Sequence, residues 1–337
     1  MASQGMKIVV VGLGSMGKRR IRLMQQLDGA LEIFGVDFNE ERRVQAEKDF
    51  SIRTSADLLG VLKKESIDCG FVCTSPLTHT EIIMTLLQNN AHVFTELNLV
   101  ANHYKQMQEL ANEKHRTLFL SSTLLYRDDV AAIRERVYGE KVNYIYHTGQ
   151  YLPDWHPWED FRNFFVGDKR TNGCREIFAI DLPWMIKTFG AIKRFARWGG
   201  RMSNLPLDYS DSYLLLLEHE HGSSGLLAVD VISRVARRSL EIYSEDMHLF
   251  WEGSPESLRE YDIDGKAIKQ ISTYENIERQ NGYSANIIEN AYLKEIQTFF
   301  KQVQGDLAAV PYTLTDDLTT LRIIDDIESN IAGEYSV

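Results

Sequence analysis

A strand that runs straight into a glycine turn constrains this chain more than anything else in it. Lys7-Ile8-Val9-Val10-Val11 leads at once into Gly12-Leu13-Gly14-Ser15-Met16-Gly17, and a second strand, Leu31 to Val36, ends in Asp37. Each glycine has its own task. Gly12 permits the tight turn, Gly14 lets the backbone approach a pyrophosphate, and Gly17 lets helix and strand pack closely. The helix predicted from Ser15 to about Gln26 aims its amide-rich N-terminus at the phosphates. Asp37 accepts hydrogen bonds from a ribose 2′-hydroxyl. Two strands and an acid around the turn favour a dinucleotide-binding unit over a glycine turn that only packs.

The same alternation continues for about 120 residues. Ile67 to Cys73 reads as a buried strand ending in Thr74-Ser75-Pro76, Thr80 to Asn89 as a helix, and Ala91 to Thr95 as a strand. Tyr104 to Lys114 reads as a helix and Leu118 to Ser121 as a further strand. Alternating strands and helices predict an α/β fold, here an N-terminal Rossmann-type, doubly wound parallel sheet. Its ligands belong at the carboxyl ends of the strands, near Gly12, Asp37, Thr74 and Glu96.

After Asp129 the pattern changes. Val142 to Gln150 alternates like a strand, Tyr151 to Thr171 is irregular and aromatic, and Glu176 to Phe189 is helical up to Gly190. Extended runs follow at Phe195 to Met202, Ser212 to Glu220, Ser224 to Val231, Ser239 to Tyr243 and His248 to Trp251. They predict a C-terminal α+β domain with a large, mostly antiparallel sheet. Two amphipathic helices close the chain, Asn286 to Gln304 and Thr315 to Ala332, the latter with Thr315 as its expected N-cap. The expected division is residues 1–125 for the dinucleotide-binding domain and 126–337 for a substrate-binding and oligomerisation domain. The C-terminal helix has the option of packing back on the first.

The 337 residues suffice for two cores. A net charge of -11 argues against nucleic acid or an anionic membrane surface as the main partner, without excluding a local basic pocket. Cys69, Cys73 and Cys174 have no metal-ligand spacing and form no disulfide framework, so no metal is expected. No apolar run nears the ~18 residues of a membrane span, and Met1 to Gly5 is a short polar start without a signal-peptide pattern. The expected compartment is the cytoplasm.

Four features together resemble the Gfo/Idh/MocA oxidoreductases: the Gly12 to Gly17 turn, Thr74-Ser75-Pro76-Leu77-Thr78-His79, the strand His92-Val93-Phe94-Thr95-Glu96, and a strand-rich second domain carrying an Ile180-Asp181 helix. The resemblance spans nearly the whole chain. It implies NAD(P) on the first domain and a sugar, inositol or similar polyol facing the second, with the large sheet commonly making a homo-dimer or homo-tetramer contact. The family usually carries a lysine in a Glu-Lys-Pro tripeptide, which here reads Glu96-Leu97-Asn98. Leucine neither exchanges a proton nor stabilises an oxyanion. Aligned on Asp181, the family's usual Asp and His positions hold Cys174 and Phe178. The segments Trp155-His156-Pro157-Trp158-Glu159-Asp160-Phe161-Arg162 and Thr171-Asn172-Gly173-Cys174-Arg175-Glu176 resemble a divergent subgroup of the family associated with bacterial surface-sugar pathways. Either this chain's proton relay is rebuilt from other residues, or it binds NAD(P) and sugar as a non-catalytic sensor or regulator.

The expected cofactor contacts are Gly12, Leu13, Gly14, Ser15, Met16, Gly17, Asp37, Thr74, Ser75, Pro76, His79, Glu96 and Asn98. Asp37 repels a 2′-phosphate, so NAD is expected ahead of NADP, with Arg42 and Arg43 softening the preference. His79 reads as a contact near the nicotinamide or as a helix-start surface histidine, and Glu96 as a cofactor or structural hydrogen-bond acceptor. Candidates for the rebuilt relay are His156, Tyr126 and Glu176, in that order. Arg162, Arg175 and Asp181 are candidate substrate contacts. An arginine at a helix start opposes the macrodipole, so Arg175 needs either an anionic substrate group or an ion pair with Glu176 or Asp181. Trp155, Trp158, Phe161, Phe164 and Phe165 read either as stacking surfaces or as core and subunit anchors. Arg234, Arg237 and Arg238 form a basic cluster, read as a phosphate or carboxylate site, a solvated strand face or an oligomer salt bridge.

Overall fold

The computed structural model describes residues 5–157, 159–280, 284, 286–306 and 310–329. Met1 to Gln4, Trp158 and the Ala332 end expected for the last helix lie outside them. The chain divides into two compact units, Met1–Thr123 with Ala291–Thr315, and Leu124–Asn290 with Asp316–Val337.

Unit 1 alternates β1 (Lys7–Val11), α1 (Ser15–Leu27), β2 (Glu32–Val36), α2 (Glu40–Phe50), β3 (Arg53–Ser55), α3 (Leu58–Lys64), β4 (Cys69–Val72), α4 (His79–Gln88), β5 (His92–Thr95), α5 (Tyr104–Glu113) and β6 (Leu118–Leu120). The six strands form one parallel sheet in the order β3-β2-β1-β4-β5-β6. Strand order reverses between β1 and β4, and this is the switch point where such sheets take their ligand. The centre is built on aromatic rings. Phe71, Phe94 and Phe119 stack on successive strands at 4.8 and 5.1 Å. Phe299, from the later helix α8 (Glu289–Val303), meets all three edge-on.

Unit 2 contains α6 (Asp128–Val137), β7 (Asn143–Gly149), α7 (Gly173–Phe189), β8 (Ile192–Gly200), β9 (Ser212–His219), β10 (Ser224–Asp230), β11 (Arg237–Tyr243), β12 (His248–Trp251), β13 (Arg259–Asp262), β14 (Ala267–Gln270) and most of α9 (Leu314–Ser329). Its eight strands run β14-β13-β12-β11-β7-β10-β9-β8; only β7 and β10 pair parallel. Alternation sorts the two faces. Tyr144, Tyr146, Leu215, Leu217, Leu227, Val229 and Ile242 are buried, with Trp184 of α7 set edge-on to Tyr146 at 5.5 Å.

Several elements differ from the sequence expectation. The strand expected from Ile67 shortens to Cys69–Val72, because Asp68 turns its carboxylate to the Lys7 backbone N–H. The helix expected from Glu176 begins at Gly173, because Asn172 caps it by accepting the Arg175 N–H. The last helix begins at Leu314, so Thr315 lies inside its first turn rather than ahead of it.

Candidate functional site

The glycine turn separates its three tasks in space. Gly12 has φ +94, and a Cβ there would meet the Cys73 carbonyl oxygen at 2.6 Å. Its N–H donates to the Val36 carbonyl at 2.8 Å, which ties the turn to β2. A Cβ on Gly17 would lie 1.9 Å from the Gly12 carbonyl oxygen, so only glycine lets α1 start this close to β1. Gly14 is different: the nearest atom to its would-be Cβ is Arg42 Nη1, at 3.9 Å. That open space lies before the N-terminus of α1, which no side chain caps. Ser15 and Met16 open that helix. A helix N-terminus without a side-chain cap, its dipole and an unfilled cradle suit a pyrophosphate.

Asp37 is 5% exposed. Its Oδ2 accepts the Leu13 N–H at 2.8 Å and its Oδ1 the Asn39 N–H at 2.9 Å. The acid therefore shapes the turn as well as presenting an oxygen edge to a ribose.

The next strand ends bring Thr74, Ser75, Pro76, His79, Glu96 and Asn98 to the same edge of the sheet. Pro76 opens a single 3-10 turn, closed by the Thr78 N–H on the Ser75 carbonyl. His79 is buried, not on the surface, with Nε2 3.0 Å from the Thr74 carbonyl oxygen and Nδ1 2.6 Å from the Asn98 side-chain amide. Burial lowers its pKa. Both ring nitrogens face an oxygen, Nε2 that of the Thr74 carbonyl and Nδ1 Oδ1 of Asn98, and the neutral ring donates to one of them according to its tautomer. Asn98 and His79 thus fix the Thr74 loop.

Glu96 is held by Arg20, with Nε on Oε1 at 2.6 Å and Nη2 on Oε2 at 3.2 Å. The same guanidinium reaches Glu295 of α8 at 2.8 Å. Burial opposes the charge on Arg20, and Glu96 and Glu295 outweigh it, raising its pKa. Glu295 also accepts from Ser121 and Ser122. Sequence reasoning did not single out Arg20 or Glu295. Arg20 stands on the buried face of α1, where a charged residue must have a partner, and that was the available signal.

In unit 2 the carboxyl ends of the parallel pair β7 and β10 meet the start of α7. A Cβ on Gly173 would lie 2.9 Å from Val231 and 3.5 Å from the Trp155 ring. Glu176 sits in the first turn of this helix. The residue is half-buried, yet its Oε2 is sealed from solvent and has no hydrogen-bond partner among the described residues. Burial pushes its pKa up to about 8. A helix N-terminus favours the ionised form, so desolvation dominates here.

The other sequence candidates are placed differently. His156 packs on Phe164, ring centres 4.3 Å apart, with Nδ1 3.8 Å from Glu159. Tyr126 ends a half-buried 3-10 turn, Thr123–Tyr126. Arg162 pairs with Asp160. Arg175 bonds Asp325 and Glu328 of α9, which supplies a reason for an arginine at that helix start. Asp181 is buried and accepts from Tyr146 at 2.7 Å, Trp184 at 2.9 Å and Arg238 at 2.9 Å. Cys174 and Phe178 are fully buried. Trp155 donates to the Gln150 carbonyl, and Phe164 packs on Phe165. No cluster of metal-ligating side chains occurs among the described residues.

Residues 6–122 match the family model described as the oxidoreductase family with an NAD-binding Rossmann fold. A 98-residue stretch is 26% identical to the myo-inositol 2-dehydrogenase of Thermotoga maritima; it covers 29% of this chain and 29% of that protein. Among solved structures, the UDP-N-acetylglucosamine 3-dehydrogenase of Acidithiobacillus ferrooxidans superposes with a TM-score of 0.77 at 15% identity, covering 97% of this chain and 98% of that one. A levoglucosan dehydrogenase in complex with NADH and levoglucosan gives 0.78 at 14% identity, covering 98% and 97%. At these identities the likeness establishes the fold. No helix among the described residues is long and apolar enough to cross a membrane.

Proposed function

We propose that the chain, whose residues 6–122 match the NAD-binding Rossmann model of the oxidoreductase family, oxidises or reduces a carbinol of a sugar, nucleotide-sugar or related polyol with NAD, and that Glu176 carries the proton. Bound NAD supplies the hydride acceptor or donor. Unit 1 contributes the pyrophosphate cradle at Gly14 and the ribose edge at Asp37. Unit 2 carries Glu176 and the candidate substrate contacts.

One observation carries this reading. Glu176 is a carboxyl whose sealed oxygen has no partner among the described residues, held protonated near neutral pH in the first turn of α7. A group tuned close to working pH suits general acid–base transfer. A carboxyl with only a packing task would be expected to have a donor for that oxygen. His156 and Tyr126 follow it as candidates. Bacterial surface-polysaccharide synthesis in the cytoplasm is the setting we assign to the reaction.

We also assign a homo-dimer or homo-tetramer. The solvent face of the large sheet carries an apolar row in register: Ile145 on β7 opposite Leu226 on β10, opposite Leu216 on β9. These three are 44%, 50% and 55% exposed, with Leu214 and Trp198 beside them. Patches of that kind mark association surfaces.

The test is turnover of a panel of sugars, nucleotide-sugars and polyols by the parent protein and by Glu176→Gln. Loss of about 10²–10⁴-fold in kcat with NAD affinity unchanged supports the assignment. Full turnover in Glu176→Gln refutes it. Tight NAD binding with no turnover of any substrate would favour the sensor instead.

A further inference from the structure

We infer that the buried cluster of Glu96, Arg20 and Glu295 selects the oxidation state of the cofactor, binding the cationic nicotinamide of NAD⁺ in preference to the neutral ring of NADH. The inference goes beyond the NAD site and rests on it.

The cluster stands where the nicotinamide half belongs. A Rossmann sheet is built of two mononucleotide-binding halves, with the pyrophosphate on the first glycine turn and the adenosine ribose on the acid after the second strand. Here those are the Gly14 cradle and Asp37, on the β1 and β2 side of the switch point. The nicotinamide half therefore falls to the other side, over the carboxyl ends of β4, β5 and β6. Glu96 follows β5 directly, and Ser121, Ser122 and Thr123 follow β6.

The charges in the cluster do not balance. Two carboxylates share one guanidinium. The Arg20 and Glu295 side chains are wholly buried, and that of Glu96 is 12% exposed. The Arg20 donors turn inward: Nε and Nη2 to Glu96, Nη2 also to Ser121 Oγ at 3.2 Å and to Glu295 at 2.8 Å, and Nη1 to the Tyr292 carbonyl at 3.2 Å. The Phe94 ring lies 4.5 Å from the guanidinium carbon. The neighbouring cation, Arg19, packs on the Tyr292 ring and turns Nη1 to the Met16 sulfur.

Glu295 is surrounded by donors. Oε1 accepts the Ser122 N–H at 2.8 Å and the Ser121 hydroxyl at 2.9 Å, and Oε2 accepts Arg20 and the Thr123 hydroxyl at 3.1 Å. Burial raises its pKa, and Arg20 opposes that. Each oxygen meets a group able only to donate, an amide on one and a guanidinium on the other, which favours the carboxylate. Arg20 is then shared, and Glu96, the exposed end of the cluster, presents the excess negative charge.

NAD⁺ and NADH differ at this end by one positive charge on the ring. A site with one carboxylate in excess gains from the cation what the neutral ring does not return. A unit charge ~10 Å away at an effective dielectric of ~20 changes affinity about tenfold. Arg20 and Glu295 act through Glu96, as positioning and charge-setting residues. The bound cofactor is thereby biased to the hydride acceptor, which favours oxidation of a carbinol.

Titration of the full chain with NAD⁺, NADH and ADP at neutral pH reads the cluster without turnover, and ADP, which lacks the nicotinamide, reports on the rest of the site. The parent protein should bind NAD⁺ at least as tightly as NADH. Glu295→Gln keeps the shape and removes one charge. It should cut the ratio of the NADH to the NAD⁺ dissociation constant about tenfold and change ADP affinity less than about threefold. Glu295→Asp, which keeps the charge, should keep the ratio within about threefold of the parent. An unchanged ratio in folded Glu295→Gln, with NAD⁺ and NADH weakened alike, would make the cluster a scaffold only and overturn the inference. So would an equal drop in Glu295→Asp, or a parent protein that binds NADH more tightly than NAD⁺. Should Glu295→Gln fail to fold by circular dichroism, Glu96→Gln removes the same charge from the exposed end and decides by the same ratio. A parent that binds ADP while the ratio ignores these charges keeps the NAD site and loses only the selection. One that binds no ADP loses both.

Discussion

Replacing Glu176 with glutamine should make the protein more stable at neutral pH, by an amount that grows with pH. In the folded chain burial raises this carboxyl from 4.5 to about 8. The unfolded chain ionises it at the ordinary value, so between those two pH values the folded state holds a proton that the unfolded state has released. Stability therefore falls as pH rises through that window, by about 1.36 kcal/mol for each unit. At pH 7.5 the full shift would amount to roughly 4 kcal/mol. Glu176 is only half-buried as a residue, and screening trims this to about 2–4 kcal/mol. Glutamine keeps the shape and has no proton to lose. The difference in unfolding free energy, Glu176→Gln minus parent, should be smallest near pH 4.5 and climb steadily to pH 8, since every other titrating group cancels in the subtraction. Urea titration by tryptophan fluorescence is a local readout, because all five tryptophans lie between residues 124 and 290, in unit 2. A difference flat within about 0.5 kcal/mol across that range would show that the carboxyl is not held protonated, and the proton-carrying role would lose its basis.

Gly14→Val should abolish NAD binding in a folded protein, since its side chain enters open space, whereas Gly17→Val should unfold unit 1 because its Cβ would lie 1.9 Å from the Gly12 carbonyl oxygen; calorimetry and circular dichroism on both variants separate the outcomes. Acid should destabilise unit 2 through His219, whose Nε2 faces the Tyr144 hydroxyl at 2.8 Å and whose Nδ1 faces the Gly190 carbonyl at 2.7 Å. Burial lowers its pKa below the ordinary 6.5, so its contribution is complete above 6.5 and is lost as pH falls through the depressed value; thermal scans of the parent and His219→Gln should converge toward pH 5. Leu216→Glu should shift a homo-oligomer toward monomer in light scattering with little change in folding, because this 55% exposed residue lies on the solvent face of the sheet; an unchanged mass would place the subunit contact elsewhere.

The strands and helices that the sequence displayed were those whose side chains face a core. β1, β2 and β5 are short apolar runs, and the glycine turn between β1 and α1 has a steric logic readable residue by residue. α2 was silent because only Ala46 in it is buried, and β13 and β14 because they form a partly or fully exposed edge. The limit on reading the site was different in kind. His79 follows a proline turn exactly as a surface helix start would, and its burial depends on Asn98, nineteen residues on. Arg175 faces Asp325 and Glu328 from 150 and 153 positions away, pairings that no local pattern announces. Glu176 is the sharpest case. A glutamate in the first turn of a helix is ordinarily a solvated acid supporting the dipole, and nothing in its neighbours by sequence says otherwise. Its protonation follows from what is missing around it: the helix begins at Gly173, tight against Val231, and no donor is supplied for the sealed oxygen among the described residues. A sequence lists the donors a chain possesses. Only the fold determines which acceptor is left without one, and an acid left so must keep its own proton at a pH where its surface counterparts have lost theirs.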